Sequence, residues 1–369
     1  MQKKLSIEMT ENSFKDGVAM LPQTRIQWID TAKLIGIYLV ILGHISMSYK
    51  EITNVIYSFH MPLFFFLSGL TAKRESVPTT FKKCVKSLLI PYVCLYLLNY
   101  LYFVVNGYLR HPEKIEEVGL LKPILGMIVG VGYETEISTN ICVPLWFLAG
   151  LFCCKMLFSI IHNIGGKNEN ILQIVCSILF ITVAYFLKIN HLFIPFSLGS
   201  AFLAYPFFIV GNMFSTKFNA ILTNGHSTKQ NVVFFVIMLV ALFVNILLMT
   251  INGRVDVNGI SFGSNILLFY ITAFVGIVFV ALLSNFINLT DFFNTLARNT
   301  IVILAFHNIV SGWLIFPFKK LGMVDVADEK VILPVALAVV VALGSLLLNY
   351  IPIYIINRFF PWMLGRKRK

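Results

Sequence analysis

Lys33 and His44 stand eleven residues apart inside the first long apolar stretch of this 369-residue chain. A helix turns 100° per residue, so eleven residues make three turns with about 20° left over. The two side chains therefore share one helical stripe, about 16 Å apart along its axis. Titratable groups inside an apolar span are costly to bury and mark functional positions by default. An ammonium at one end of such a stripe suits an anionic group. An imidazole at the other end, neutral near pH 7, suits a general base acting on a hydroxyl. The plainer alternatives are a Lys33 that snorkels to lipid headgroups and a His44 that packs at the interface.

Other residues could join them. His60 lies in the next apolar stretch, in Tyr57-Ser-Phe-His60-Met-Pro-Leu-Phe-Phe-Phe-Leu-Ser68-Gly69. If the two stretches form a hairpin, His44 and His60 sit at similar depth. Asp30 stands one turn before Lys33. His307-Asn308 falls inside a later apolar stretch, as a cavity lining or as helix-to-helix hydrogen bonding. Trp146 opens another in Pro144-Leu-Trp-Phe-Leu, where an interfacial aromatic belt is the simpler reading. Lys73, Arg74, Lys82, Lys83 and Lys86 form a basic segment that suits phosphates, or merely orients the chain in a membrane. The six cysteines show no CxxC and no metal-ligand spacing, and read as small buried hydrophobes. No glycine-rich phosphate loop, HExxH or GxSxG occurs, and no metal site is expected.

The elements that must hold these residues are membrane helices. The chain is 58% hydrophobic and 12% charged, where soluble domains carry about 25% charged residues. This predicts an all-α integral membrane protein. A span needs about 20 apolar residues, and ten stretches qualify: 28–47, 54–72, 88–106, 141–161, 171–187, 198–215, 232–251, 265–286, 299–317 and 331–357. The apolar run 119–132 is short and interrupted by glycine, so it is expected to lie at the interface or re-enter. Residues 1–27 read as a cytosolic tail without the apolar core of a signal peptide, 28–357 as the membrane domain, and 358–369 as a basic cytosolic tail. With the N-terminus in the cytosol and sides alternating, 20 of the 29 basic residues fall on the cytosolic side, against seven of the 17 acidic ones. That bias supports ten spans with both ends in the cytosol. The basic residues are scattered over separate segments, which favours anionic lipid over nucleic acid as their partner.

The first hairpin resembles the membrane acyltransferase family 3, especially its fucose 4-O-acetylase-like branch. The resemblance rests on Trp28-Ile-Asp30, the Lys33-x10-His44 spacing, the Tyr57–Gly69 segment, and the basic segment ending Leu-Leu-Ile-Pro91-Tyr92. Looser support comes from Pro144-Leu-Trp146-Phe-Leu, Ala204-Tyr205-Pro-Phe-Phe-Ile-Val-Gly211 and Phe306-His307. The resemblance implies an O-acyltransferase. It would take an acyl group, usually acetyl, from cytosolic acetyl-CoA and place it on a hydroxyl of an extracytoplasmic or lipid-linked carbohydrate. No tightly bound cofactor is implied.

By match to the motif, His44 is the catalytic histidine, with His60 beside it, and Lys33 contacts the donor, with Asp30 nearby. Lys83 and Lys86 stand nearest to a basic element that relatives carry after the second span. Ser68, Trp146, His307 and Asn308 are left as acceptor-side or pore-lining candidates. The resemblance further implies a multi-pass protein of a bacterial plasma membrane; nothing in the sequence specifies an oligomer. The rival reading is a ten-span transporter or flippase for a lipid-linked sugar, distinguished by whether the protein handles acyl-CoA. A non-catalytic membrane scaffold is a third, which the intramembrane histidines disfavour.

Overall fold

The computed structural model describes residues 26–367 except 131, 133, 134, 136, 137, 224–226, 328 and 329. The expected tail 1–27 lies almost wholly outside them. Helix α1 (Gln27–His44) turns back through an extended link into α2 (Lys50–Leu70). The two run antiparallel: a Cβ on Gly36 would meet Phe64, and one on Gly43 would meet Ile56 and Tyr57. Lys33 and His44 thus do belong to one unbroken helix. It ends at His44, three residues short of the expected 47. Residues beyond it are extended instead, pairing Ser48 N–H with the Leu333 carbonyl and Leu333 N–H with that of Ser46.

α3 (Val77–Cys84) continues through a widened π turn (Val85–Leu89) into α4 (Ile90–Arg110). The cause is Pro91, which has no N–H and whose ring would crowd the carbonyl four residues back. Two short helices follow, α5 (Pro112–Val118) and α6 (Leu121–Val129). Nine residues rise only about 13 Å, too little to cross a bilayer. α6 is instead held against α4 by three tyrosines one turn apart. Tyr92, Tyr96 and Tyr100 donate to the carbonyls of Met127 (2.7 Å), Pro123 (2.8 Å) and Leu120 (3.1 Å). The expected non-spanning element at 119–132 is therefore present.

α7 (Trp146–Gly165) and α8 (Glu169–Ile189) form a hairpin that turns at Gly166, where φ is +51°. α9 (Leu198–Met213) breaks by 63° into α10 (Ser215–Thr223). α11 (Thr228–Asn252) opens on a capping box between Ser227 and Gln230. α12 (Ile266–Asn285) opens on the Asn265 side chain, which accepts from Leu267 and Leu268 N–H. Then come α13 (Asp291–Ala297) and α14 (Thr300–Lys320), an antiparallel hairpin of β1 (Asp325–Ala327) and β2 (Lys330–Ile332), and finally α15 (Val335–Leu348) and α16 (Tyr350–Phe359). The last helical run starts at Val335 rather than 331, because Pro334 ends the extended segment that β2 begins. Residues 361–366 are not a loose tail. Arg366 donates to Asn299 Oδ1 (2.8 Å) and to the Arg298 carbonyl (3.2 Å).

The described residues are mostly helical, and seven helical runs are long and apolar enough to cross a membrane. The bent pair α9–α10 makes an eighth if it counts as one span. This is a multi-pass, all-α membrane architecture, and each of the ten expected stretches contains a helix. α2 is its centre: 67% of its apolar window is buried inside the protein, against 22% for α11. α11 thus turns most of its apolar surface outward, as a lipid-facing helix does.

α2 and α9 approach backbone to backbone. A Cβ on Gly69 would lie 2.0 Å from the Phe208 carbonyl oxygen, and one on Gly211 would lie 2.3 Å from that of Phe66. Small residues let membrane helices pack this closely. Gly69→Ala and Gly211→Ala should each destabilise the bundle by about 1–3 kcal/mol through overpacking. Gly312→Ala, with open space around its Cβ, should not. Thermal unfolding in detergent checks this; equal melting temperatures for all three variants would refute it.

Candidate functional site

α1 and α2 bring His44, Tyr57 and His60 to the walls of one recess of about 50 Å³. α7 supplies Trp146 from its first turn, and α14 supplies Leu304. The loop between α11 and α12 closes it with Asp256, Val257 and Asn258. That loop is fixed in place: Ser200 Oγ donates to the Asn258 carbonyl (2.8 Å), and Asn258 Oδ1 accepts from Gly132 N–H (3.1 Å). At about 10–15 Å³ per water-sized sphere, the recess takes only a few waters or one small group.

The histidines share one feature that settles their tautomers. His44 Nδ1 lies 2.8 Å from the Val40 carbonyl, and His60 Nδ1 lies 2.9 Å from the Ile56 carbonyl. His307 Nδ1 lies 3.1 Å from the Ile303 carbonyl and 3.0 Å from the Leu304 carbonyl. A carbonyl only accepts, so each Nδ1 carries the proton and each neutral ring keeps a lone pair on Nε2. His307 Nε2 lies 3.3 Å from His44 Nδ1. The His44 N–H is thus shared between the Val40 carbonyl and the His307 lone pair. This leaves His44 Nε2 as a base whose opposite N–H is doubly held.

Tyr57 lies between the rings of His44 and His60, at centroid distances of 6.3 and 4.9 Å. The Arg254 guanidinium covers its other side, with Cζ 4.6 Å from the ring centre. Burial pushes the Asp256 carboxyl above the ordinary carboxylate range, against the Asn258 N–H and the Arg254 charge.

The other expected residues spread out. His307 is buried behind His44 and does not line the recess. Asn308 does not join it: one step further round α14, it is exposed. Ser68 is two turns along α2 from Met61, away from the recess. Asp30 is buried in the first turn of α1, and Lys33 is half-buried one turn on. Lys83 lines a larger cavity at the Lys33 end of the bundle and pairs with Glu75 at 2.5 Å. Lys86 is exposed, its carbonyl lying under Gly365. Among the described residues, no three His, Cys, Asp or Glu side chains gather as a metal site.

Sequence reading passed over Arg254, Asp256 and Asn258, and gave Tyr57 no role. Their only signal was an Arg and an Asp close together in a Gly- and Asn-rich link between two strongly apolar stretches.

A family model described as an acyltransferase domain matches residues 26–354. The match covers both histidine-bearing helices, the closing loop and α14. The chain belongs to acyltransferase family 3. O-acetylation is the typical activity of this family. No curated protein and no solved structure matches the chain. In this acyltransferase the recess sets the His44 ring beside Tyr57, His60, Trp146 and the Asp256–Asn258 link.

Two measurements test the geometry. In ¹⁵N NMR of histidine-labelled protein, His44, His60 and His307 should all appear as neutral rings protonated at Nδ1; protonation at Nε2 of His44 would contradict the assignment. For Asp256, a raised folded-state pKa means the folded protein binds that proton more tightly than the unfolded chain. Its contribution is favourable below the unfolded value of about 3.9 and is lost as pH rises through the folded value. The native protein should therefore gain melting temperature relative to Asp256→Asn as pH is lowered from 7 towards 4. A difference that stays constant with pH would show that the carboxyl is not buried this way.

Proposed function

We propose that the protein moves an acetyl group from acetyl-CoA on the cytosolic side to a hydroxyl of an extracytoplasmic or lipid-linked carbohydrate, as the fucose 4-O-acetylase-like resemblance implies. The carrying observation is His44: a neutral imidazole with a lone pair on Nε2, at the wall of a small recess at the end of α1 opposite Lys33. Charge bias supports the orientation, with ten spans, both termini in the cytosol, and the His44 end facing outward. The plasma membrane of a bacterium is the setting this reading favours.

His44 Nε2 takes the proton of the acceptor hydroxyl as its oxygen attacks the thioester carbonyl carbon. The tetrahedral oxyanion then collapses, the C–S bond breaks, and the departing thiolate receives the proton back. His307 works behind this. The imidazolium formed on His44 keeps its Nδ1–H against two acceptors, the Val40 carbonyl and His307 Nε2. His307 is thus a positioning residue, and His60 lines the same recess. Trp146 lines the recess and is the candidate donor to the oxyanion; Ser68 and Asn308 lie off the recess. On the outer side, the Tyr57 and Trp146 rings with Asp256, Asn258 and Arg254 offer the stacked faces and hydrogen bonds that a sugar ring takes.

The purified protein in detergent should transfer labelled acetyl from acetyl-CoA to an oligosaccharide acceptor. His44→Ala should lower kcat by about 10²–10⁴-fold while the protein still binds CoA. His307→Leu should lower kcat with the KM for acetyl-CoA unchanged. Full transfer by His44→Ala would rule out the base role. No detectable handling of acyl-CoA by the native protein would favour the transporter reading instead.

A further inference from the structure

We infer that the donor's nucleotide phosphates are held in the cavity of about 290 Å³ between the end of α2, helix α3 and the middle parts of α7 and α9, with Lys155 as their central contact. This rests on the acetyl-CoA reading above and names where its donor docks. The cavity is lined by Lys73, Lys83 and Lys155, with the Glu75 carboxylate and the hydroxyls of Thr71, Thr80 and Ser87. Lys83 already has Glu75 as its ion-pair partner. Lys155 is different. It is half-buried on α7, projects into the cavity, and makes no hydrogen bond or ion pair with any described residue. A cation drawn out of water without a partner is costly, and an anion in the cavity relieves that cost. Phosphate is the anion that lysines and hydroxyls together bind well.

The cavity also lies at the right distance and on the right line. Its α2 residue Thr71 is eleven residues from His60, about 16 Å along the helix, a distance that suits an extended pantetheine arm. Between them lies a smaller cavity of about 20 Å³ lined by Ile37, Met61, Phe64, Phe147 and Leu304, among others. Met61 and Leu304 also line the histidine recess. On α2, Met61, Phe64, Ser68 and Thr71 are spaced by three, four and three residues, so they form one face of the helix. That face passes from the recess, through the middle cavity, to the large one. α7 also contributes to all three cavities, with Trp146, Phe147 and Lys155 on different faces. Lys33, one turn from Ile37, stands beside this route rather than at its end. Ser68, half-buried on the same face, lies where the arm would pass.

The alternative source of a phosphate is an anionic lipid headgroup, and the test separates the two. Binding of CoA and of adenosine 3′,5′-bisphosphate is measured by calorimetry on the full chain in detergent. Lys155→Gln should weaken both by about tenfold or more, the scale of a charge-assisted hydrogen bond, and raise the KM for acetyl-CoA while kcat at saturation is kept. Lys155→Arg, which keeps the charge if Gln perturbs folding, should retain most of the affinity. Lys167→Gln, on the turn between α7 and α8, should change nothing. If Lys155→Gln binds CoA like the native protein, the assignment is overturned. If it instead loses only dioctanoyl phosphatidylglycerol, the cavity belongs to lipid. If the native protein binds no CoA at all, the acyltransfer reading with this donor fails first, before the location of its site is at issue.

Discussion

A polar hydrogen inside an apolar bundle must find an acceptor, and in this protein the helix backbone provides it. His44, His60 and His307 each point Nδ1 at a carbonyl one turn back on their own helix. Soluble active sites commonly use a carboxylate to hold a histidine in its working tautomer. A carboxylate here would bring a second charge into a low-dielectric interior, where an unpaired ion is costly. A carbonyl already fixed by the helix does the same orienting work without that charge. The cost of this solution is geometric. The lone pair on Nε2 can point only where the helix aims it, so the recess must be built around the helices rather than the reverse.

That requirement explains why α2 occupies the centre. It carries Tyr57, His60 and Met61 near its middle, with Thr71 just past its C-terminal end, and it touches α1 and α9 through glycines that leave little or no room for a Cβ. Gly69 and Gly211 hold α2 against α9, and Gly36 makes room on α1 for the Phe64 ring, whose Cζ would lie 3.0 Å from an added Cβ. Close backbone packing fixes the rotation of α2 about its axis. A rotation by one residue would carry the Met61–Thr71 face off the line of the cavities. α11 turns most of its apolar window outward and carries no glycine that must admit a neighbouring backbone.

The helices and the Lys33–His44 stripe were legible because their physics is local. Apolar length marks a span, and eleven residues on a helix define a stripe whatever the rest of the chain does. The 119–132 element was legible for the same reason: its length forbids a crossing. What could not be read was the closing of the recess. Arg254, Asp256 and Asn258 lie more than 200 residues from His44, and the position of their link depends on hydrogen bonds to Gly132 and Ser200 that no local pattern encodes. Asn308 shows the opposite error. It borrowed significance from its neighbour His307, but adjacent residues on a helix point 100° apart, and only one of the two faces inward.

His307 marks the boundary between these cases. Its type and place in an apolar stretch made it conspicuous, yet its contribution depends on a distance of 3.3 Å to a ring 263 positions earlier. At that distance its lone pair supports the His44 N–H without occupying the recess, and the whole of a small cavity stays available for substrate. A charged residue in the same place would have held His44 more strongly. It would also have needed its own solvation inside the bundle, and the water it drew in would share the small recess. A neutral partner, weaker but dry, holds the ring without bringing water into the recess beside it.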